Sequence, residues 1–348
     1  MNLAKKNALI LSLFFWGIIS TLLMIFAGEI QHMHVVEYGD AFWFASDPGV
    51  YYDIYLMRIQ GEMTPLAYIY SAMVGVPVLL LLITGGQIVP ILLLASSVFF
   101  YALYSCMKHL ETKQISFFFL ILFIPYVLLG FFALNKEIYV VSSTLFFLAY
   151  YKSLNKKYLL FCCVALFFSR YYMLFVFVFC LFVFPPQSKK IRWWAIWGTL
   201  LFFSILAPFI LTGGVLLSYS GDKAVGTSGA ASLLFSDLIR NFMYFLSYFP
   251  KYISLILSRV WTVIVSGIHS EAKGNLLGLL FSSYTVILFM IPFFKVHFPS
   301  RYNYRFLMMV LFSPVPLMFS DIFHWRYYLF TIPMLVFYLN QRTVDDRF

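Results

Sequence analysis

Long apolar runs separated by short charged segments dominate this chain. The runs cover residues 8–27, 66–84, 88–107, 116–134, 138–151, 158–184, 193–212, 241–268, 276–294, 306–320 and 327–340. A helix needs about 20 apolar residues to cross a ~30 Å hydrocarbon core, and most of these runs approach that length. Only 11% of the residues are charged, which is too few to cover a soluble globular surface. The sequence therefore predicts an all-α polytopic membrane protein and excludes a soluble enzyme.

Composition excludes two further classes of protein. Aromatic residues make up 21% of the chain, far too many for an intrinsically disordered protein. The formal net charge is +10, but the basic residues are scattered between apolar runs, so nucleic acid is not an expected partner. The four cysteines lie in or beside apolar runs without the spacing of a metal site. We interpret them as small membrane-buried residues.

Basic residues between the runs predict the topology, because cytoplasmic loops are enriched in Lys and Arg. If every run crossed once, the basic clusters at 108–113 and 152–157 would lie outside. Both become cytoplasmic if 66–84 lies in or dips into the outer interface and 158–184 forms a hairpin of two short helices. Arg170 then lies at the outer tip of that hairpin, which relieves the cost of a charge in lipid.

Two other runs need special placement. We expect 241–268 to pack at the outer interface or to re-enter, and 138–151 is short for a span, so it needs protein neighbours. The chain then crosses the membrane about ten times (nine to twelve), with both termini cytoplasmic. In this topology 15 of the 24 basic residues are cytoplasmic and 11 of the 14 acidic residues lie outside. The acidic residues did not define the topology, so their segregation supports it.

We expect a single integral membrane domain over residues 1–348. Its first outer loop is 28–64, followed by an interfacial extension at 65–87. A second large outer region is expected at 213–275. The first run has basic residues before it and no signal-peptidase pattern, which predicts a retained first helix entering from the cytoplasm.

The first candidate site group lies in the outer loop. Asp47 opens the sequence Ser-Asp-Pro-Gly, typical of a helix that starts near Pro48, and Tyr51 falls on the same side of that helix. Asp47 is either a helix cap or a carboxylate held at the membrane surface as a general base or metal ligand. Asp40 and Asp53 flank it as substrate-binding candidates.

The second candidate group is the pair Lys136-Glu137, in the sequence Leu-Asn-Lys-Glu-Ile-Tyr between two apolar runs. The predicted topology puts this pair at an outer tip. The two charges either solvate a helix end or place Glu137 opposite the acidic residues of the first outer loop, with Lys136 as a substrate contact.

The third candidate group is basic and lies on the predicted outer side, where positive residues are disfavoured. It consists of Arg170, Arg240, Lys251, Arg259 and Arg326. Two of these arginines begin the sequence Arg-Tyr-Tyr, which suits interfacial anchoring by Tyr with snorkelling Arg. The other interpretation is a phosphate or diphosphate at the outer leaflet, which Arg binds bidentately. Candidate general bases are His32, His34, His269 and His324.

The order of these features resembles the GT-C superfamily of membrane glycosyltransferases, which use polyprenyl-linked sugar donors. The resembling elements are an N-terminal helix from the cytoplasm, an outer loop with an Asp-x-x-x-Tyr element, and a segment opening with Thr-Pro-Leu-x-Tyr. Later outer turns carry an acidic residue and an arginine. The resemblance covers residues 1–184. It implies a GT-C-like fold in which Asp47 (or Asp40 or Asp53) and Glu137 are the catalytic carboxylates.

Chain size, aromatic richness and the Asn-Lys-Glu and Arg-Tyr-Tyr segments also resemble the Wzy-type polymerases of bacterial O-antigen and capsular polysaccharide. Those proteins join undecaprenyl-diphosphate-linked repeat units at the outer face of the inner membrane. The large region 213–275 fits a polymerase. An Arg followed by Gly after ten intervening residues is not present, since the corresponding positions are Lys251 after Arg240 and Ser270 after Arg259. The choice between polymerase and single-sugar transferase stays open.

The leading expectation is a glycosyl-transferring polymerase in a bacterial inner membrane with its active site facing outward. Asp47 or Glu137 would be the base, and Arg170 and Arg326 would stabilise charge on the leaving diphosphate. One alternative is a GT-C transferase that moves one sugar from a polyprenyl phosphate. The other is a polysaccharide flippase, which the absence of repeats and of midplane charges disfavours.

No cofactor is expected. Paired acidic loops suit a divalent cation, but the spacing of Asp47 and Asp53 is not a recognised ligand pattern, so no metal is predicted. The expected partners are the polyprenyl-linked glycan donor and acceptor and the lipid bilayer, with a chain-length regulator protein as a further candidate.

Overall fold

The chain is helical wherever the computed structural model describes it. The described residues are 3–36, 47–62, 76–110, 113–167, 169–170, 173–188, 190–212, 237–254, 276–294, 301–318 and 329–340. Within these ranges the elements are helices and their connecting turns, with no strand. The prediction of an all-α chain is confirmed.

The helices follow one another through short turns. In chain order they are α1 Leu3–Ile25, α2 Ala27–Val35, α3 Asp47–Gln60, α4 Val76–Ile83, α5 Val89–Met107, α6 Gln114–Leu122, α7 Pro125–Phe132, α8 Glu137–Ser153, α9 Lys156–Phe167, α10 Leu174–Val183, α11 Trp193–Thr212, α12 Leu276–Phe294, α13 Arg301–Phe312 and α14 Thr331–Asn340. Shorter helical stretches occupy 237–240 and 244–254.

Two of the described helices are long and apolar enough to cross a membrane, Lys6–Ile25 within α1 and Val89–Met107. The pair α6 and α7 becomes a third span if it is counted as one, although it bends by 65°. Four shorter apolar helices of 10–17 residues accompany them. These apolar helices indicate a membrane protein, while the number of crossings stays a prediction.

Helix α8 is the centre of the bundle. Of its 17 residues, 14 are buried, and it packs between α5 and α9. Its small polar residues bond to the helix itself: Ser142 Oγ donates to the Ile138 carbonyl at 2.8 Å and Thr144 Oγ1 to the Val140 carbonyl at 3.0 Å. The short run 138–151 therefore has the protein neighbours that the sequence predicted it would need.

The predicted hairpin at 158–184 is present as α9 and α10. Arg170, between them, lies beside Glu137 at the start of α8. Phe177 of α10 contacts Phe147 with ring centroids 4.7 Å apart, midway along α8. Pro185 and Ser188 follow α10, and their carbonyls accept hydrogen bonds from Arg305 of α13. The Arg305 guanidinium lies over the ring of Tyr151. The chain therefore reverses around Arg170 and returns along α8.

The segment predicted not to cross, 66–84, is described from residue 76 onward. The described part of this segment holds helix α4, whose 8 residues span about 12 Å. Its buried residues join a hydrophobic cluster with Leu23 at the end of α1, Ile88 at the start of α5 and Leu134. This part of the chain lies at one end of the bundle, and the placement of 66–84 at the outer interface stays a prediction.

The break between α6 and α7 has a local cause. Pro125 is the first residue of α7, and Ile124 before it has φ −59° and ψ 122°, outside the helical region. A proline disfavours helical geometry in the residue before it, so one apolar run becomes two helices. The predicted single crossing at 116–134 is bent here.

The second predicted interfacial segment, 241–268, enters the bundle in its described part. Phe242 contacts Phe209 of α11, and the Phe245 N–H donates to Ser204 Oγ at 3.1 Å. Further along, Tyr244, Tyr248 and Tyr252 donate their hydroxyls to carbonyls between Val310 and Val315. This stretch runs back along α11 inside the bundle, and its predicted placement at the outer interface or as a re-entrant segment stays a prediction.

Four predicted cytoplasmic cations gather at the C-terminal end of α8. Lys108 lies 4.8 Å from the ring centre of Tyr158, and Lys152 lies 5.5 Å from that of Phe306. Arg305 is next to Tyr151, and Arg192 follows the end of α10. We call this the Tyr151 end of α8, and the opposite end, where α8 begins, the Glu137 end.

Candidate functional site

The turn 134–137 starts α8 and carries the candidate site. Asn135 Oδ1 accepts the Glu137 N–H at 2.8 Å, which makes an Asx turn that leads into the helix. Its amide nitrogen reaches the Tyr126 carbonyl at 3.4 Å. Gly130 of α7 packs so closely on Ile138 that a Cβ there would lie 2.9 Å from the Ile138 Cβ. These contacts fix the position of Glu137.

Glu137 and Arg170 form a buried ion pair. Arg170 Nε donates to Glu137 Oε2 at 3.1 Å, and Nη2 donates to Oε1. Glu137 is 0% exposed and Arg170 is 5% exposed. The fork of the guanidinium thus meets both carboxylate oxygens, the geometry that makes Arg–carboxylate pairs strong. The N-terminus of α8 also favours a negative charge at this position.

The first outer segment reaches the same turn through α3. Lys136 Nζ lies 5.7 Å from the ring centre of Tyr51, which is 2% exposed. Helix α3 is described from Asp47 onward, and the predicted cap by Ser-Asp-Pro-Gly stays a prediction. The backbone of Asp47 lies one helical turn before Tyr51 on the same side, while its side chain lies outside the described part. The turn 134–137 therefore carries two pairs of predicted site residues: Lys136 with Tyr51, and Glu137 with Arg170.

His34 joins the same cluster by a different chemistry. Its Nε2 accepts the Leu134 N–H at 3.2 Å, so Nδ1 carries the proton and donates to the Ile30 carbonyl at 2.7 Å. Burial lowers the pKa of His34 to about 4, which keeps the ring neutral. His34 therefore ties α2 to the turn before α8, and this structural role replaces the general-base role considered for it from the sequence.

Other predicted site residues do not join this cluster in the described part of the chain. Asp53 is exposed, on the side of α3 away from the buried Tyr51. Arg240 is exposed in the short stretch 237–240. Lys251, predicted among the outer basic residues, is buried and donates to the Met318 carbonyl at 2.8 Å. The predicted residues Asp40, Arg259, His324 and Arg326 lie outside the described ranges.

Asn135 had no role in the sequence-based site, and His34 was considered there only as a general base. Asn135 had a readable signal, because Asn side chains commonly bond to the backbone two residues on in turns. His34 had none, since a single His in a short helix does not reveal that it bonds to a backbone N–H 100 residues away.

The described residues hold no group of three or more His, Cys, Asp or Glu side chains that could bind a metal ion. What the cluster does offer is an anionic oxygen pair, a planar cation and an ammonium at one end of a helix bundle. Comparisons with protein-family models, curated proteins and solved structures find no match.

Proposed function

We propose that the protein is a glycosyl-transferring polymerase that joins undecaprenyl-diphosphate-linked oligosaccharides at the outer face of a bacterial inner membrane. The observation that carries this proposal is the buried pair of Glu137 and Arg170, contributed by separate segments, with Lys136 next to it in the chain and in contact with Tyr51. Buried charges are costly in an apolar bundle, so their retention at one place favours a chemical role.

The residues suit a displacement at an anomeric carbon. A carboxylate, Glu137 or Asp47, takes the proton of an acceptor hydroxyl, whose oxygen then bonds to the anomeric carbon. The bond from that carbon to the diphosphate oxygen breaks, and its electron pair leaves with the diphosphate. Arg170 and Lys136 stabilise the negative charge that develops on the leaving group, and Arg326 is the further candidate for this role.

The distribution of charge along the bundle supports an outward-facing site. Lys108, Lys152, Arg192 and Arg305 lie at the Tyr151 end, as far from Glu137 as α8 allows. The positive-inside rule places such a basic end in the cytoplasm. The Glu137 end then faces the opposite leaflet, where undecaprenyl-linked repeat units are displayed in the systems that this chain resembles.

A charge swap tests the proposal. Purified protein in lipid is supplied with undecaprenyl-diphosphate-linked repeat units, and products are resolved by size. Glu137→Gln and Arg170→Gln should each abolish chain extension, whereas Lys190→Gln, exposed in the turn before α11, should not. The double variant Glu137→Arg with Arg170→Glu should regain thermal stability but remain inactive, because the two groups have different chemical roles.

Full-length polymer from both single variants, or from the swapped pair, would contradict the catalytic assignment. The product also separates the proposal from its alternative. A ladder of repeats identifies a polymerase, and a single added sugar identifies a GT-C transferase acting on polyprenyl phosphate. That alternative is retained because the whole described cluster lies within residues 1–184, the part that resembles GT-C enzymes.

A further inference from the structure

Arg170 and Glu137, which have different predicted roles, form an ion pair with each other in this structure. Arg170 was expected to hold a phosphate and Glu137 to act as a base. Instead the Glu137 carboxylate accepts hydrogen bonds from Nε and Nη2 of the guanidinium. Arg uses the same pair of donors to bind two oxygens of a phosphate. A phosphate on this edge of Arg170 and the present ion pair therefore exclude each other.

Burial makes the exclusion stringent. With Glu137 fully buried and Arg170 nearly so, water cannot screen a second anion placed beside the carboxylate. Like charges a few ångströms apart repel more strongly in the low effective dielectric of a protein interior than in water. An incoming phosphate has to replace the carboxylate on Arg170, because adding to it would leave two anions against one guanidinium.

We propose that Glu137 is the resident counter-anion of a diphosphate site on Arg170, and that donor diphosphate displaces it and thereby frees the carboxylate. This inference rests on the proposed function for the identity of the ligand. It also sets an order of events, since the base becomes available only after the donor is in place.

After the exchange, the freed Glu137 carboxylate and the bound diphosphate are each stabilised by nearby positive charge. The freed carboxylate stays at the N-terminus of α8, where the helix dipole stabilises negative charge. Lys136 precedes Glu137 in the chain and is half-buried, so it is more accessible than the pair itself. Its ammonium beside Tyr51 supplies the second positive charge that a diphosphate needs.

Binding of inorganic pyrophosphate to the purified full-length protein tests the exchange directly. Glu137→Gln removes the competing charge at nearly constant volume, so it should bind pyrophosphate about tenfold more tightly than the unmodified protein, equivalent to about 1.4 kcal/mol. Arg170→Gln should lose this binding, and Lys190→Gln should leave it unchanged. Equal or weaker binding by Glu137→Gln overturns the proposal.

A second measurement needs no variant at all. An apolar carbodiimide labels accessible carboxyl groups, and peptide mass spectrometry reports its yield at Glu137. Pyrophosphate, and undecaprenyl diphosphate in vesicles, should raise that yield because they release the carboxylate from Arg170. A yield that stays constant or falls with both ligands overturns the exchange.

The exchange and the proposed function can fail separately. If Glu137→Gln gains affinity but the unmodified protein makes no polymer, the exchange stands and the proposed function is wrong. If polymer forms while Glu137→Gln gains nothing, the exchange alone is wrong.

Discussion

The two ends of α8 handle buried charge in opposite ways. At the Glu137 end a carboxylate and a guanidinium pair with each other inside the protein. At the Tyr151 end Lys152 lies over the rings of Phe306 and Phe337, and Arg305 donates to backbone carbonyls and covers Tyr151. Rings and carbonyls solvate a cation without requiring a charged partner.

This difference distinguishes charges that a topology rule explains from charges that it does not explain. Cations at the Tyr151 end are accounted for by the positive-inside rule together with local contacts. A paired carboxylate and guanidinium satisfy no topological rule, and buried pairs are on balance weak contributors to stability. The comparison therefore favours the Glu137 end as the candidate site, and four experiments test the contrast between the two ends.

The largest expected effect is that of Arg170→Met. It strands the Glu137 carboxylate in a buried site, and breaking such a pair costs about 3–5 kcal/mol of unfolding free energy. Denaturation in detergent measures the loss. Adding Glu137→Leu should recover most of it, since no buried charge then remains. A double variant as unstable as Arg170→Met would show that more than the ion pair is lost.

The second effect is a pH dependence at the Glu137 end. His34 is neutral when folded, with its pKa lowered to about 4, while the unfolded side chain titrates near its ordinary value of 6.5. The unfolded state therefore binds more protons between these values, and stability falls as the pH drops from about 6.5 to about 4, by about 3 kcal/mol.

Unfolding titrations across that pH range measure the slope. His34→Gln keeps an acceptor for the Leu134 N–H but does not titrate, so its slope should be flatter. An unchanged slope in this variant would assign the pH dependence to other groups.

At the Tyr151 end, Arg305→Met should cost about 2 kcal/mol, because the Pro185 and Ser188 carbonyls lose charged hydrogen bonds. The cost is smaller than at Arg170, since no buried carboxylate is stranded. Arg305→Lys keeps the charge but not the fork and should recover part of the loss. A cost equal to that of Arg170→Met would erase the contrast between the two ends.

The smallest effect is expected for Lys152→Met. Its ammonium lies 5.5 and 5.6 Å from two ring centres, and such cation–π contacts are worth about 0.5–1 kcal/mol where water still reaches the cation. The measurement is thermal unfolding of Lys152→Met. Lys156 is exposed, so Lys156→Met is the matched control. A loss above that of Arg305→Met would contradict this ranking.

Much of the architecture could be predicted from local rules. Apolar runs marked the helices. The reversal around Arg170 followed from the cost of a mid-run charge. The bend before Pro125 was missed, although the residue before a proline rarely stays helical.

The sequence predicted which residues belong to the site but not which of them contact one another. Charge and predicted topology placed Glu137 and Arg170 at the same end of the protein. The sequence contains no pattern that predicts their ion pair. The re-entry of 244–254 along α11 depends on tyrosine hydroxyls meeting the carbonyls of Val310, Leu311 and Val315. Such long-range partners become visible only when the packed helices are seen.

The burial of α8 on all sides has a consequence for biogenesis. A 17-residue helix with three consecutive hydroxyl side chains at 142–144 gains little from lipid by itself, because it is short and its favourable contacts come from α5 and α9. It should therefore enter the bilayer together with α9, as a helical hairpin leaving the translocon. Nascent chains that end before α9 should remain accessible from the cytoplasm, whereas chains extended through α10 should be integrated.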